Sequence, residues 1–374
     1  MEIPFVDLHA QYQSIKSEMD EAISEIIVNT AFIQGAAVKN FETAFAKAIG
    51  VRHCIAVANG TDAIVISLKS LGIGVGDEVI VPANSFIATS EAVTAAGARV
   101  VFVDNHPDTY NIDIDIIKEK TNSRTKAIIP VHLYGQPADM EPILNIANKN
   151  NLFVIEDSAQ GHLAEYKWSD GTWKKAGSFG NMATFSFYPG KNLGAYGDAG
   201  AIVTNDDNLA RKARMYANHG RISKYDHEFE GINSRMDGIQ GAVLGVKLKY
   251  LPQWTEKRRA AANYYLNKLK DIQGVIIPAF SNSVRPVWHL FVIRTNKRDQ
   301  LHNYLTEKGI SNGVHYPIAL PNLQAYHYLN HKPSDFPVAT SYQDQLLSLP
   351  IFPEITNVQQ DYVVSTIAEF FNGG

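Results

Sequence analysis

Lys191 is the side chain in this sequence with the clearest potential for covalent chemistry. It lies two residues after Pro189, in a glycine-rich loop that follows the strand predicted over residues 183–187. Ser186, inside that strand, adds a hydroxyl close to the lysine. Taken alone, a lysine is more often a surface charge than a nucleophile. An amine held at the end of a buried strand could instead form a Schiff base with a carbonyl compound.

Other candidate residues also follow the ends of predicted strands, where ligands bind in parallel α/β sheets. They provide a carboxylate, an amide, an aromatic ring and a helix N-terminus of the kind that binds phosphate. We therefore expect them to converge with Lys191 on one rim of the sheet. They are Asp157 and Gln160 after the strand at 152–156, Phe86 after 78–81, and Gly60, Thr61 and Asp62 after 53–58.

Together these groups are the set that pyridoxal 5′-phosphate (PLP) requires. A lysine binds its aldehyde, an acid keeps its pyridinium protonated, a ring stacks on its face and backbone donors hold its phosphate. Each residue taken singly keeps an ordinary alternative, because Asp157 and the segment 60–62 could simply cap helices. ATP and NAD are disfavoured, since residue 185 is Phe where a P-loop needs Gly and residue 77 is Asp where a dinucleotide fingerprint needs Gly.

Strands and helices alternate from about residue 50 to residue 204, which predicts a right-handed, mostly parallel sheet with helices on both faces. The pattern changes near Gly274 to that of a smaller α+β unit. We expect a large α/β domain with an N-terminal arm over residues 1–250 and a small C-terminal α+β domain over 251–374. Residues 238–250 and 254–269 are predicted as two helices, with Lys247 on their solvent side. Asp170-Gly171 predicts a hairpin turn.

The composition is that of a globular protein with a large core. The chain has 374 residues, of which 45% are hydrophobic and 19% charged, and its net charge is −4. This charge gives no reason to expect nucleic acid or an anionic membrane as a partner, and no apolar run approaches the ~20 residues that span a bilayer. Cys54 is expected in the core rather than as a reactive thiol. No metal site is expected, and the lack of a signal-peptide pattern together with a single cysteine predicts a cytoplasmic protein.

Ordered blocks of this sequence resemble the DegT/DnrJ/EryC1/StrS family of PLP-dependent nucleotide-sugar aminotransferases. The resemblance extends over nearly the whole chain. It implies the PLP-transferase fold of aspartate aminotransferase (fold type I) and an obligate homodimer with shared active sites. The blocks are PFVDL at 4–8, ANGTDA at 58–63, PANSFIAT at 82–89, EDSAQ at 156–160, SFYPGKNLG at 186–194, GINSRMD at 231–237 and HYP at 315–317.

The resemblance implies a role for each candidate residue. Lys191 would carry PLP as a Schiff base, Asp157 would pair with the pyridine nitrogen, Phe86 would stack on the ring and Gln160 would contact the ring hydroxyl. Residues implied to hold the phosphate are Gly60, Thr61, Asp62, Ser186 and Asn233, the last reaching across from the second subunit. Residues implied to line the sugar pocket are Tyr188, Lys224, Tyr225, His315 and Tyr316.

The implied activity is transfer of an amino group, with L-glutamate as donor, onto a keto nucleotide-linked sugar in amino-sugar and polysaccharide biosynthesis. The blocks at 187–191 and 233–235 are most similar to members that act at C3 rather than C4 of the sugar. Dehydratases in this family carry His at the position of Lys191, so dehydration is the less favoured alternative. A non-catalytic PLP-binding regulatory homologue is the other alternative, and no rim residue is missing that would favour it.

Overall fold

The structure, a computed structural model, describes residues 1–372. Its strands, numbered along the chain, are β1 (His53–Val57), β2 (Glu78–Pro82), β3 (Arg99–Val103), β4 (Thr125–Ile128), β5 (Phe153–Asp157), β6 (Glu165–Lys167), β7 (Trp173–Lys175), β8 (Met182–Ser186), β9 (Gly200–Thr204), β10 (Arg221–Ser223), β11 (Asp226–His227), β12 (Val284–Arg285), β13 (Phe291–Arg294) and β14 (Leu346–Leu349). Seven of them form a central sheet in the order β1-β9-β8-β5-β4-β2-β3. β9 runs antiparallel to β1 and β8, and the other neighbours pair in parallel. The predicted mostly parallel α/β sheet is thereby confirmed.

Helices connect most of the strands of this sheet. They are α1 (Leu8–Ser14), α2 (Lys16–Val28), α3 (Gly35–Ile49), α4 (Gly60–Ser70), α5 (Ala88–Ala95), α6 (Ile114–Lys120), α7 (Met140–Asn150), α8 (Asp207–Tyr216), α9 (Gly238–Leu269), α10 (Arg298–Glu307), α11 (Pro337–Tyr342) and α12 (Asn357–Asn372). Short 3₁₀ helices cover Leu133–Gly135, Leu320–Asn322, Gln324–Leu329 and Pro333–Asp335.

Both faces of the central sheet are covered because its strands are apolar on both faces. In β2, Val79 and Val81 belong to the core formed with α4 and α5, whereas Ile80 between them belongs to the core formed with α6 and α7. Farther along the sheet, Phe185 of β8 packs edge-on against Phe45 of α3. Alternation of side chains along each strand thus places one helical layer on either side.

Helix α9 is continuous over 32 residues, although the sequence predicted two helices separated near residue 252. Pro252 lies inside it, between the buried side chains of Leu251 and Trp254, so tertiary packing outweighs the lost backbone hydrogen bond. The prediction for Lys247 was also wrong, because this residue is only 2% exposed. The expected domain division at residue 250 falls within α9 and remains a prediction.

The C-terminal third of the chain builds a separate core around the antiparallel pair β13–β14, with α10, α12 and the end of α9. Ile3 of the N-terminal arm joins this core through a bridge to Ile310. Two further extended residues of this unit, Ile276 and Gly313, form single bridges to β13 and β14. The hairpin predicted at Asp170-Gly171 is confirmed as the β6–β7 pair.

Two expectations from composition concern single features of the chain. Cys54 is buried in the core, as predicted, and this burial raises the pKa of its thiol well above the ordinary value. Within the part of the chain that the structure describes, no helix combines the length and apolar character needed to cross a membrane.

Phe45 tests how much the packing of α3 on the sheet contributes to stability. Its fully buried ring contacts the rings of Phe185 and Phe187 at centroid distances of 4.9 and 5.3 Å. Phe45→Ala should lower the free energy of unfolding by about 3–5 kcal/mol, because it leaves a cavity that the sheet cannot fill. Urea denaturation would measure the change. Val75→Ala, at a side chain that is 95% exposed, is the control, and equal effects of the two variants would contradict the prediction.

Candidate active site

The loop that carries Lys191 is closed by its own backbone. The Lys191 N–H donates to the Tyr188 carbonyl at 2.8 Å, and the Ala195 N–H donates to the Phe187 carbonyl at 2.7 Å. A Cβ on Gly194 would lie 2.2 Å from the carbonyl oxygen of Pro189, so only glycine fits there. The loop therefore has little freedom to move Lys191.

The buried side chain of Lys247 contacts the same loop. Lys247 Nζ donates to the Gly194 carbonyl at 2.7 Å and lies 4.3 Å from the centre of the Tyr196 ring. Burial lowers the pKa of Lys247 to about 8. The sequence pattern gave no sign of this contact, since it joins α9 to a loop 53 residues earlier.

Lys191 is half-buried, and the pKa of its amine lies below the ordinary lysine value. Burial lowers the pKa of Lys191 to about 8, while the nearby charge of Asp157 acts in the opposite direction. An amine with such a pKa is partly neutral near physiological pH, which is the form that attacks a carbonyl carbon. Lys191 and Asp157 thus face one rim, as the strand order predicted.

Asp157 ends β5 and is only 5% exposed. Its carboxylate accepts hydrogen bonds from the Thr89 hydroxyl at 2.7 Å and from the Ala159 N–H at 3.1 Å. Thr89 is in turn hydrogen-bonded to the Ser85 hydroxyl at 2.8 Å. Sequence reasoning did not select Thr89. Its place in the block PANSFIAT at 82–89 was the available signal.

An amide and two aromatic rings form the next part of the rim. Gln160 Nε2 donates to the Tyr316 hydroxyl at 3.0 Å, while the Tyr134 N–H donates to Gln160 Oε1. The ring of Tyr316 lies 6.0 Å from that of Phe86, which is 55% exposed and so offers an open face. Burial raises the pKa of the Tyr316 phenol, and the charge of Asp157 adds to this effect.

A helix N-terminus meets the end of β8 on the same rim. A Cβ on Gly60 would lie 2.7 Å from the Ser186 Cβ, so α4 begins in direct contact with that serine. The Asn59 side chain caps the helix by accepting from the Asp62 N–H at 2.8 Å. The N–H groups of Gly60 and Thr61 begin the helix and have no intrahelical acceptor. They and the Ser186 hydroxyl could bind an anion, supported by the helix dipole.

Asp62 has a different environment from its two neighbours. Its carboxylate accepts a hydrogen bond from the Ser234 hydroxyl at 2.7 Å, and the same hydroxyl oxygen accepts from the Ala58 N–H at 3.2 Å. Ser234 thus attaches the segment that contains Asn233 to the start of α4. Asn233 itself is exposed.

The predicted sugar-pocket residues are divided between two regions. His315 and Tyr316 lie near the rim, and burial together with the charge of Lys191 lowers the pKa of His315 to about 4. Tyr188, beside the Lys191 loop, is 60% exposed. Lys224 and Tyr225 occupy the turn of the β10–β11 hairpin, which contacts α8.

The donor set on this rim fits PLP. The structure provides an amine of lowered pKa, a fixed carboxylate across from it, free helix N–H groups beside a hydroxyl, and one exposed aromatic face. These groups match the cofactor's aldehyde, ring nitrogen, phosphate and ring face, respectively.

Comparison with known proteins agrees with a PLP site on this rim. The profile of the DegT/DnrJ/EryC1/StrS aminotransferase family matches residues 13–368. A protein of Geobacillus stearothermophilus named "Pleiotropic regulatory protein" is 44% identical over 373 residues, which are 99% of this chain and 99% of that protein. The dTDP-3-amino-3,6-dideoxy-alpha-D-galactopyranose transaminase of Aneurinibacillus thermoaerophilus is 43% identical over 368 residues, which are 98% of this chain and 99% of that enzyme.

A solved structure agrees with the fold as well. The crystal structure of S. venezuelae DesV in complex with a ketimine intermediate is 40% identical and has a TM-score of 0.95, covering 99% of this chain and 98% of that one. The predicted fold-type-I architecture is thereby confirmed.

The pKa of Lys191 can be tested on the cofactor-free protein. Acetylation of Lys191 should follow a titration with a midpoint near pH 8, because burial favours the neutral amine. Asp157→Asn should move the midpoint to lower pH, since Asp157 is the charge that raises it. Mass spectrometry of the labelled peptides would measure both. Lys16, whose pKa is raised by its contact with Asp20, is an internal control, and an unchanged midpoint in Asp157→Asn would contradict the prediction.

Proposed function

We propose a reaction for this chain from the fact that it belongs to the DegT/DnrJ/EryC1/StrS aminotransferase family, whose cofactor is PLP. The reaction moves an amino group from L-glutamate to a keto sugar carried by a nucleotide, at C3 of the sugar. The observation that carries this proposal is Lys191 itself, a lysine of lowered pKa facing the Asp157 carboxylate.

Bound PLP supplies an aldehyde that condenses with amines and a ring that takes up the electrons of a broken C–H bond. The Asp157 carboxylate, fixed by Thr89, would keep a proton on the ring nitrogen. The Gln160 amide would donate to the ring hydroxyl oxygen, and Phe86 would stack on the ring. The phosphate would be held by the N–H groups of Gly60 and Thr61 at the start of α4, by Ser186, and by Asn233 from a second subunit. Asp62, also predicted to hold the phosphate, has its N–H bound to Asn59 and its carboxylate to Ser234, so it would support the site through Ser234 instead.

Lys191, once released from the cofactor, would act as the base for the 1,3-proton shift, carrying a proton between the substrate carbon and the carbon of the cofactor's former aldehyde group. A general base works best when its pKa lies near the operating pH, and burial brings the pKa of Lys191 to about 8. The closed loop from Tyr188 to Ala195 keeps this amine over the rim. His315 nearby stays neutral because burial lowers its pKa to about 4, so it offers the sugar a hydrogen bond rather than a charge.

A homodimer with shared sites is part of the proposal. Asn233 is exposed in its own chain. Lys224 and Tyr225 lie in a hairpin turn a few residues earlier in the sequence, and Tyr225 is 84% exposed. In a dimer these three residues would complete the partner's site, together with Tyr188, His315 and Tyr316 of the rim. We also assign the enzyme to the cytoplasm and its product to amino-sugar and polysaccharide biosynthesis.

Amination at C3 is supported by relatives of this chain. The Aneurinibacillus thermoaerophilus enzyme is named for a 3-amino sugar product. A regulatory function is the second candidate, because the Geobacillus stearothermophilus relative is named a pleiotropic regulatory protein. The two candidates differ in one measurable property, since only the enzyme turns over glutamate.

Replacement of Lys191 by Ala should lower turnover by about 10³-fold or more while the protein stays folded, because it removes the only base proposed for the proton transfers. Formation of 2-oxoglutarate from glutamate and a keto nucleotide sugar would measure turnover, and circular dichroism would report the fold. Lys270→Ala, at an exposed lysine beyond α9, is the matched control. Normal turnover in Lys191→Ala would sink the assignment. Folded wild-type protein that binds PLP but forms no 2-oxoglutarate would favour the regulatory candidate.

The position of amination can be tested with a panel of 3-keto and 4-keto nucleotide sugars. We expect the new amine at C3, identified by NMR of the isolated product. Exclusive amination at C4 would contradict the proposed position while leaving the reaction class intact. A dehydrated product without consumption of glutamate would instead show that the chain acts as a dehydratase.

A further inference from the structure

We propose that Glu156 and His132 are positioning residues that fix the amide orientation of Gln160. This inference rests on the proposed function in one respect, which is the contact between Gln160 and the ring hydroxyl of PLP. Neither Glu156 nor His132 touches substrate or cofactor in this proposal. They act through a turn of the backbone at residues 132–138.

Glu156 is a completely buried carboxylate surrounded by hydrogen-bond donors. One oxygen accepts from the N–H groups of Phe179 and Gly180 at 2.7 and 2.8 Å. The other accepts from the Gly177 N–H at 2.7 Å and lies 2.9 Å from His132 Nε2. An ionised carboxylate accepts hydrogen bonds and donates none. The three N–H groups and His132 Nε2 are therefore four donors to Glu156.

His132 is also completely buried, and its second nitrogen fixes the position of its proton. The Ala138 N–H donates to His132 Nδ1 at 3.0 Å, so this nitrogen is an acceptor and carries no hydrogen. The hydrogen of the neutral ring therefore lies on Nε2 and points at Glu156. The pair is a neutral imidazole that donates to an anion.

The same histidine closes a turn. Its side chain takes the Ala138 N–H, its carbonyl accepts from the Gly135 N–H at 3.2 Å, and its own N–H donates to the Asp157 carbonyl at 3.0 Å. Inside the turn lies Tyr134, with a left-handed φ of 59°. Three attachments of His132 thus determine where the Tyr134 N–H points.

The Tyr134 N–H donates to Gln160 Oε1, and this decides which end of the amide faces the site. With Oε1 occupied, the NH₂ end of Gln160 is directed toward Tyr316 and the rim. A hydrogen bond donated to the ring oxygen of PLP stabilises its deprotonated form. If the turn moves, Gln160 Oε1 loses the hydrogen bond from the Tyr134 N–H, and the amide is no longer held in one orientation. The ring oxygen of PLP would then lose its donor, and its proton would dissociate at higher pH.

Two variants of His132 test its two side-chain contacts separately. His132→Gln keeps an N–H in place of Nε2, and so the donor to Glu156, but loses the acceptor for the Ala138 N–H. His132→Asn keeps an acceptor near Nδ1 but removes the donor to Glu156. The readout is the pH at which the visible absorbance of bound PLP changes between its two protonation forms. We expect an upward shift of about one pH unit in each variant, because each breaks one of the contacts that hold the turn.

A double variant tests the route through Gln160. In a Gln160→Ala background the His132→Asn exchange should add no further shift, because the group through which it acts is absent. Gln360→Met is the matched control, since it removes one buried side chain–backbone hydrogen bond of 2.8 Å in the C-terminal core.

Asn111→Ala loosens the same turn, because Asn111 Oδ1 accepts from the Leu133 N–H at 3.3 Å. It should shift the absorbance in the same direction if His132→Asn does not fold.

The outcomes distinguish this proposal from the proposed function. An equal shift with and without Gln160, or no shift in either turn variant, would overturn the positioning role while the enzyme assignment stands. If Lys191→Ala left the visible absorbance of bound PLP the same as in the wild-type protein, the proposed function would be overturned, and with it the premise of this inference.

Discussion

A negative charge at the end of β5 is the constraint on which the rest of the site depends. Asp157 is almost completely buried, and a buried carboxylate is unfavourable unless it is hydrogen-bonded and faces a positive group. The Thr89 hydroxyl donates to one carboxylate oxygen and the Ala159 N–H to the other, and the charge of Asp157 also acts on the nearby Lys191. Because β5 and β8 are adjacent parallel strands, the carboxyl ends of both strands lie on one rim. The sheet order itself therefore brings the acid and the amine together.

Two consecutive carboxylates on β5 show how one strand serves structure and chemistry at once. Side chains alternate across a strand, so Glu156 and Asp157 point to opposite faces. Glu156 meets a complete shell of donors and has no capacity left for a ligand. Asp157 meets an incomplete one. The difference between a structural acid and a chemical acid here is the number of donors that the surrounding loops supply.

The sequence was informative where local rules decide the outcome. Apolar runs located β1, β2, β5 and β8 to within one residue at each end, and strand ends located Asp157 and Lys191. It was uninformative where distant segments meet. Thr89 reaches Asp157 across 68 residues, and Tyr134 reaches the His315 carbonyl across 181. Lys247 was misjudged for a related reason, since its burial depends on a loop carbonyl at Gly194 that no periodicity within α9 reveals.

Two residues proposed to contact the cofactor, Asp157 and Gln160, are fixed by hydrogen bonds, whereas two residues proposed to contact the sugar, Tyr188 and Tyr225, are mostly exposed. Asp157 and Gln160 lie within hydrogen-bonded shells, and Gly60 and Gly194 leave no room for a Cβ, so substitutions there would disturb the sheet rim itself. Tyr188 and Tyr225 are mostly exposed, and changes at such positions leave the buried charges untouched. It follows that substrate choice can diverge among chains that keep one cofactor site. Sequence identity over the whole chain therefore reports the shared chemistry more faithfully than it reports the sugar.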